Sequence, residues 1–192
     1  GGDQQPVPPP PGGEEEERGA SPLDVFLRPR IDDGFLPVAD AVVAGGLTPT
    51  MVSYIVLTSG LPAPEWLARG ASAAAQAGAA YRGLPYMIAS LNHGFLLASC
   101  WLVGALAARH YEESRYKGPD AFYTTLKAGA FATGVLILIT QTSLAARIGT
   151  LPALAPDSPE LDLMTARAAA ALTVDIFSSA VVMITWRFWR ST

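Results

Sequence analysis

A histidine and an aspartate, His93 and Asp175, lie inside apolar stretches of this sequence. An ionisable side chain at membrane depth is costly, and it normally has a partner or binds a metal. His93 follows Asn92 and precedes Gly94, and a glycine leaves room for a flat ring to approach the backbone. We therefore expect one of two roles for a neutral imidazole at His93. It is either an axial ligand to the metal of haem or chlorophyll, or a core histidine hydrogen-bonded to a neighbouring helix.

The second histidine, His110, comes 17 residues after His93, which is about 25 Å along one helix. The two side chains therefore cannot share a metal. The chain has two histidines in total, so a haem with two histidine ligands within this chain is excluded. We expect His110 to be a solvated residue of the charged stretch 108–117, ARHYEESRYK.

Asp175 shares a helical face with Ala171 and Ser179, because the three residues are spaced by four. A small, polar face suits helix packing in lipid. Asp175 could bind Mg²⁺ directly or through water, relay protons, or form a hydrogen bond or ion pair with another subunit. Gln141, in a separate apolar stretch, could bond across helices or offer its amide oxygen to the metal of a pigment.

Several classes of function are excluded by composition and motif. The chain carries a net charge of −4, with an acidic run at 14–17, so it has no basic surface for nucleic acid. Cys100 is the only cysteine, which excludes an intrachain disulfide and a cysteine-based metal site. The sequence has no G-x-S-x-G, G-x-x-x-x-G-K-[ST], H-E-x-x-H or G-x-G-x-x-G motif. We expect a protein that is not an enzyme.

The elements that carry these residues are apolar helices. Half of the residues are hydrophobic and 16% are charged, against about 25% charged in soluble domains. Three charge-poor stretches, 84–108, 128–146 and 168–186, approach or exceed the roughly 20 residues that a bilayer core requires. Trp186, Phe188 and Trp189 suit an interfacial aromatic belt. The sequence predicts an all-α integral membrane protein with three transmembrane helices.

The rest of the chain is predicted to be peripheral. Residues 1–21 form a disordered or extended acidic, proline-rich tail. Residues 22–83 form an N-terminal arm of short surface helices, with an interfacial helix at about 64–81, and residues 187–192 form a C-terminal tail. The stretch 41–64 is also free of charge. Its glycines and prolines, among them Gly45, Gly46 and Pro49, would leave backbone groups unsatisfied in hydrocarbon unless neighbouring protein supplied partners. We therefore assign it to the arm.

The residues around His93 resemble a known family. The sequence LNHGFLL at 91–97 resembles the first-helix motif A-H-G-[FY]-[FL]-L of the photosystem I reaction-centre subunit XI family, the L subunit. Three segments before it, IDDGFL at 31–36, SGLPA at 59–63 and AYR at 80–82, are also similar to motifs of the family. They occur along the chain in the same order as in the family. One departure is Ile88, where family members carry a glutamate five residues before the histidine.

The resemblance implies a diverged algal member of that family, with three helices after an extended arm. It implies a chloroplast thylakoid protein that binds chlorophyll a and carotenoid, with His93 as axial ligand to chlorophyll magnesium and Asn92, Gly94, Gln141 and Asp175 around the pigments. The expected partners are the large core subunits and small membrane subunits of photosystem I, antenna proteins and thylakoid lipid. The residues alone leave an alternative open: a small accessory or ion-conducting subunit of another organellar membrane complex.

Overall fold

A computed structural model describes residues 29–61, 63–78, 81, 83–116, 120–156 and 158–191 of the chain. The tail predicted at 1–21 lies outside the described residues. The described part is helical and contains no strand. Its helices are α1 (Phe35–Val42), a π-helical segment (Val43–Leu47), α2 (Thr48–Ser59), α3 (Glu65–Gln76), α4 (Gly83–Ala107), α5 (Glu113–Tyr116), α6 (Ala121–Ile148), a 3₁₀ turn (Pro152–Leu154) and α7 (Pro159–Ser191).

Four helical stretches in the described part of the chain are long and apolar enough to cross a membrane: Phe35–Val56, Gly83–Ala107, Ala121–Ile148 and Pro159–Arg190. The last three coincide with the three predicted spans, and the all-helical class is confirmed. The count of three is not confirmed, because the first stretch runs through the predicted arm. This stretch is continuous from α1 through the π-helical segment into α2, whereas we expected short helices and turns.

The breakers in that first stretch are accommodated locally. Gly45 and Gly46 lie in the π-helical segment, and Pro49 follows directly after it at the start of α2. The hydroxyl of Thr50 donates to the carbonyl of Gly46 at 2.8 Å. Local π geometry and threonine hydroxyls are the means by which membrane helices satisfy backbone groups near proline and glycine.

Gly45 and Gly94 mark a close crossing of the π-helical segment and α4. A Cβ atom on Gly94 would lie 1.9 Å from the carbonyl oxygen of Gly45, and one on Gly45 would lie 2.8 Å from that of Gly94. Both positions therefore need glycine. The space that we expected Gly94 to leave for a flat ring is occupied by the backbone of another helix.

The central helix of the bundle is α4. It contacts α1, the π-helical segment, α3 and α6, while α7 packs on α6 and α2. The main core includes Trp101 of α4, Ala132 of α6 and Met183 of α7. Gly104 lets α4 and α6 approach, because a Cβ there would lie 2.4 Å from the carbonyl oxygen of Ala128.

One end of the bundle brings together the start of α1, the turn after α4 and the end of α7. Asp32 accepts a hydrogen bond from the backbone N–H of Glu113 at 2.7 Å, and this bond is the main cause that lowers the pKa of Asp32. Arg190 pairs with Asp33 at 3.3 Å. The first and last described helices therefore have their outer ends on the same side.

Candidate functional site

His93 and Asp175 meet in the interior of the bundle. The Nε2 atom of His93 on α4 lies 3.0 Å from Oδ1 of Asp175 on α7, and each side chain is 8% exposed. His93 is ten residues from Gly83, about 15 Å along α4, so the pair lies near the middle of the helix. This contact is the hydrogen bond to a neighbouring helix that is expected of a core histidine.

Trp66 covers one face of this imidazole. Its ring stacks on His93 with centroids 4.6 Å apart and planes 11° apart. Trp66 is the second residue of α3, and it packs in a core cluster with Val52, Val56 and Leu67. Its Nε1 is buried and has no hydrogen-bond partner among the described residues. We call Trp66, His93 and Asp175 the His93 cluster.

The His93 cluster does not fit axial ligation of a tetrapyrrole metal through Nε2. A chlorophyll or haem ring so ligated needs that nitrogen to face an opening as wide as the ring. Here Nε2 faces a carboxylate oxygen at 3.0 Å and the imidazole is nearly fully buried. The arrangement is that of a buried hydrogen-bonded pair, which joins α4 to α7 and satisfies two groups that would be costly in lipid.

The other predicted site residues lie apart from the His93 cluster. Asn92 is exposed on α4, and Gln141 is exposed on α6. Gly94 is buried against Gly45. Of the five residues proposed from the sequence, the structure brings His93 and Asp175 together and leaves Asn92 and Gln141 on the outer surface of the bundle.

His110 is fully buried, so the prediction of a solvated loop residue is wrong. The cause is the backbone at the end of α4. Arg109 adopts a left-handed conformation with φ 54°, its N–H bonds to Leu106, and the N–H of His110 bonds to Ala105. These two hydrogen bonds form a Schellman motif, which turns the chain back onto the end of the helix.

The buried His110 ring has edge contacts with Trp101 and Tyr111, at centroid distances of 6.4 and 5.8 Å. Neither of its nitrogens has a hydrogen-bond partner among the described residues. Burial, with a smaller contribution from the nearby Arg187 cation, lowers the pKa of His110 to about 3. The ring is therefore neutral at physiological pH.

A second polar site surrounds Asp40, and sequence reasoning missed it. The carboxylate is fully buried. It accepts bonds from Nε1 of Trp101 at 3.0 Å, Nε1 of Trp186 at 3.0 Å and the hydroxyl of Tyr111 at 3.3 Å, and it forms an ion pair with Arg187. We call these five residues the Asp40 cluster. Burial and the Asp40 charge raise the pKa of Tyr111.

A sequence signal for the Asp40 cluster did exist. Asp40 is the one acidic residue between positions 35 and 64, so it falls inside the first apolar helix. We interpreted Trp186 as part of an interfacial belt, whereas its indole N–H points inward to Asp40. The cluster ties α1, α4 and α7 together through a buried charge pair. The Asp40 carboxylate accepts four hydrogen bonds, whereas Nε of Arg187 has no partner among the described residues.

The chain matches no family model, no curated protein and no solved structure.

Proposed function

We propose that this chain is a non-catalytic structural subunit of photosystem I, which binds chlorophyll a and carotenoid at the edge of the core and contacts neighbouring core, antenna or trimer subunits. The observation that carries the proposal is the ordered set of motifs that resembles the L subunit family, centred on LNHGFLL at 91–97. This motif lies in α4, a helix long and apolar enough to cross a membrane.

The outer surface of the bundle supports a role in a larger membrane complex. Phe95 is 76% exposed on α4, Leu138 is 66% exposed on α6 and Phe177 is 72% exposed on α7. Large apolar side chains of this kind need lipid, pigment or a partner subunit to cover them. The proposal therefore assigns pigment contact to the outer helix surfaces and leaves Nε2 of His93 with Asp175.

Purification of the complex through an affinity tag on this chain tests the proposal. We expect the absorption spectrum of the complex to contain chlorophyll a and carotenoid bands, and mass spectrometry to identify the large core subunits of photosystem I. A complex that lacks tetrapyrrole, or that contains respiratory or import subunits, would refute it.

The His93–Asp175 pair favours a second candidate, an ion-conducting accessory subunit of another organellar membrane complex. Titratable groups within spans are typical of proton and ion pathways. This candidate predicts that the full chain in liposomes dissipates a pH gradient and that Asp175→Asn abolishes the flux. Asp162→Asn, at an exposed position near the start of α7, is the matched control. Flux equal to that of empty liposomes would eliminate this candidate.

A further inference from the structure

A cavity of about 210 Å³ lies between α4, α6 and α7. Its floor is formed by Leu97, Cys100 and Trp101 of α4, which are 4%, 3% and 4% exposed. The His93 cluster does not contribute to it, since none of its three members lines the cavity. Of the Asp40 cluster, Trp101 lines the cavity and Asp40 itself does not.

The cavity opens sideways between α6 and α7. The residues at its mouth are Leu126 and Ala130 on α6 and Ala180 on α7, all of which are exposed. Both helices belong to stretches able to cross a membrane. In a bilayer, this mouth faces the hydrocarbon region and not water.

Small side chains create the gap. Gly129 and Ala130 on α6 lie opposite Ser179 and Ala180 on α7, so the two helices leave space that larger residues would fill. The wall is mostly carbon, and the hydroxyl of Thr125 is already donated to the carbonyl of Ala121 at 2.8 Å. The lining suits an apolar occupant.

An open apolar cavity of this size is filled when the molecules of the surrounding solvent are apolar and small enough to enter it. Lining atoms without neighbours lose dispersion contacts, and an apolar cavity of about 150 Å³ is enough to bind benzene. The solvent at the mouth is the bilayer, whose acyl chains are apolar, narrow and present at high concentration. A chain end can enter between α6 and α7 while its headgroup stays at the interface.

We propose that this cavity is a binding site for one acyl chain of a membrane lipid, which enters between Ala130 and Ala180 and reaches Trp101. The inference goes beyond the proposed function, because it requires that the helices stand in a bilayer and does not require photosystem I. The acyl chain fills the gap between α7 and the helices α4 and α6 and so completes their packing.

The test uses the full chain in nanodiscs of phosphatidylcholine that carries a diazirine in its acyl chain. After illumination, mass spectrometry maps the crosslinked residues. We expect crosslinks on the floor residues Leu97, Cys100 and Trp101, which lipid on the outer surface cannot reach. Crosslinks confined to exposed residues would overturn the proposal.

Two variants that fill the mouth sharpen the test. Ala180→Leu is expected to remove most of the floor crosslinks, and Ala130→Leu on the opposite lip is expected to do the same if the first variant folds poorly. Ala170→Leu is the matched control, since Ala170 is exposed on α7 and does not line the cavity. Floor crosslinks that survive both mouth variants would contradict the site.

A pigment chain is the competing occupant, and the native complex distinguishes it. Loss of one chlorophyll or carotenoid per chain in Ala180→Leu but not in Ala170→Leu would overturn the lipid assignment. Unchanged pigment content together with loss of one bound lipid per chain would support it. This result does not depend on which complex contains the chain.

Discussion

Asp40 and Arg187, 147 residues apart in the sequence, form a buried ion pair between α1 and α7. Their side chains are 0% and 9% exposed. The indole groups of Trp101 and Trp186 each donate a hydrogen bond to Asp40 at 3.0 Å, so the carboxylate on α1 is held by residues of α4 and α7. This pair joins the first described helix of the bundle to the last.

The Asp40–Arg187 pair is expected to contribute strongly to stability. Asp40→Asn leaves the Arg187 cation buried without a countercharge, and removal of one partner of a buried pair typically costs about 3–5 kcal/mol in the free energy of unfolding. Asp33→Asn is the matched control, because the Asp33–Arg190 pair is 29% and 38% exposed and such pairs contribute about 0–1 kcal/mol. Thermal unfolding in nanodiscs measures both variants. Equal midpoints for the two would contradict this role.

The π-helical segment and α4 are expected to tolerate no side chain at their crossing. Gly94→Ala places a Cβ 1.9 Å from the Gly45 carbonyl oxygen, so the helices must separate. We predict that the free energy of unfolding falls by about 1–3 kcal/mol, as it does when a core is overpacked. Gly46→Ala is the control, since a Cβ there meets nothing within 4 Å among the described residues. A midpoint for Gly94→Ala at or above that of Gly46→Ala would refute the close crossing.

Four spans place residues 31 and 114 on the same side of the membrane, whereas the three-span arrangement predicted from the sequence places them on opposite sides. Single cysteines distinguish the two in a Cys100→Ala background, because Cys100 is the only native cysteine. We expect Ile31→Cys and Ser114→Cys to react with a membrane-impermeant maleimide from one side. Thr150→Cys, between α6 and α7, should react from the other. Labelling of Ile31→Cys together with Thr150→Cys would instead support three spans.

His110 is expected to make the fold sensitive to acid. Its pKa is lowered from 6.5 to about 3, so the unfolded chain binds one more proton than the folded chain between these values. The stability it contributes is complete above pH 6.5 and is lost as the pH falls toward 3, with a slope of up to about 1.4 kcal/mol per pH unit. Over this range Tyr111, whose pKa is raised, stays neutral.

Chemical denaturation between pH 7 and 4 measures this slope. His110→Phe fills the site without a titratable group and should flatten the profile, and His110→Gln should flatten it as well. A slope shared by both variants belongs to other groups of the chain. A wild-type profile as flat as the variant profiles would contradict the assignment to His110.

The apolar stretches could be recognised from the sequence because helix length and low charge are local properties. The stretch 84–108 corresponds to α4, and the stretches at 128–146 and 168–186 lie within α6 and α7. Local pattern also marked His93 and Asp175 as the ionisable groups of interest. It could not show that they bond to each other, because their pairing depends on how α4 and α7 pack.

The errors have local physical causes. Gly45, Gly46 and Pro49 predict short helices and turns because each residue disfavours a helix, whereas the π-helical segment and the contact with Gly94 accommodate them in one continuous helix. The charged neighbours of His110 predict a solvated residue, whereas the side chain is fully buried. A left-handed Arg109 reverses the chain there, and such a conformation is rare for a residue other than glycine.

We propose a pigment-contacting scaffold in which His93 is hydrogen-bonded to Asp175. A cryo-electron microscopy map of the native complex, at a resolution that shows side chains, tests it most directly. We predict chlorophyll and carotenoid density against the outer surfaces of α4, α6 and α7, with Nε2 of His93 still within hydrogen-bond distance of Asp175. Absence of pigment around the chain would contradict the proposed function, and a tetrapyrrole metal ligated by His93 would contradict the pair.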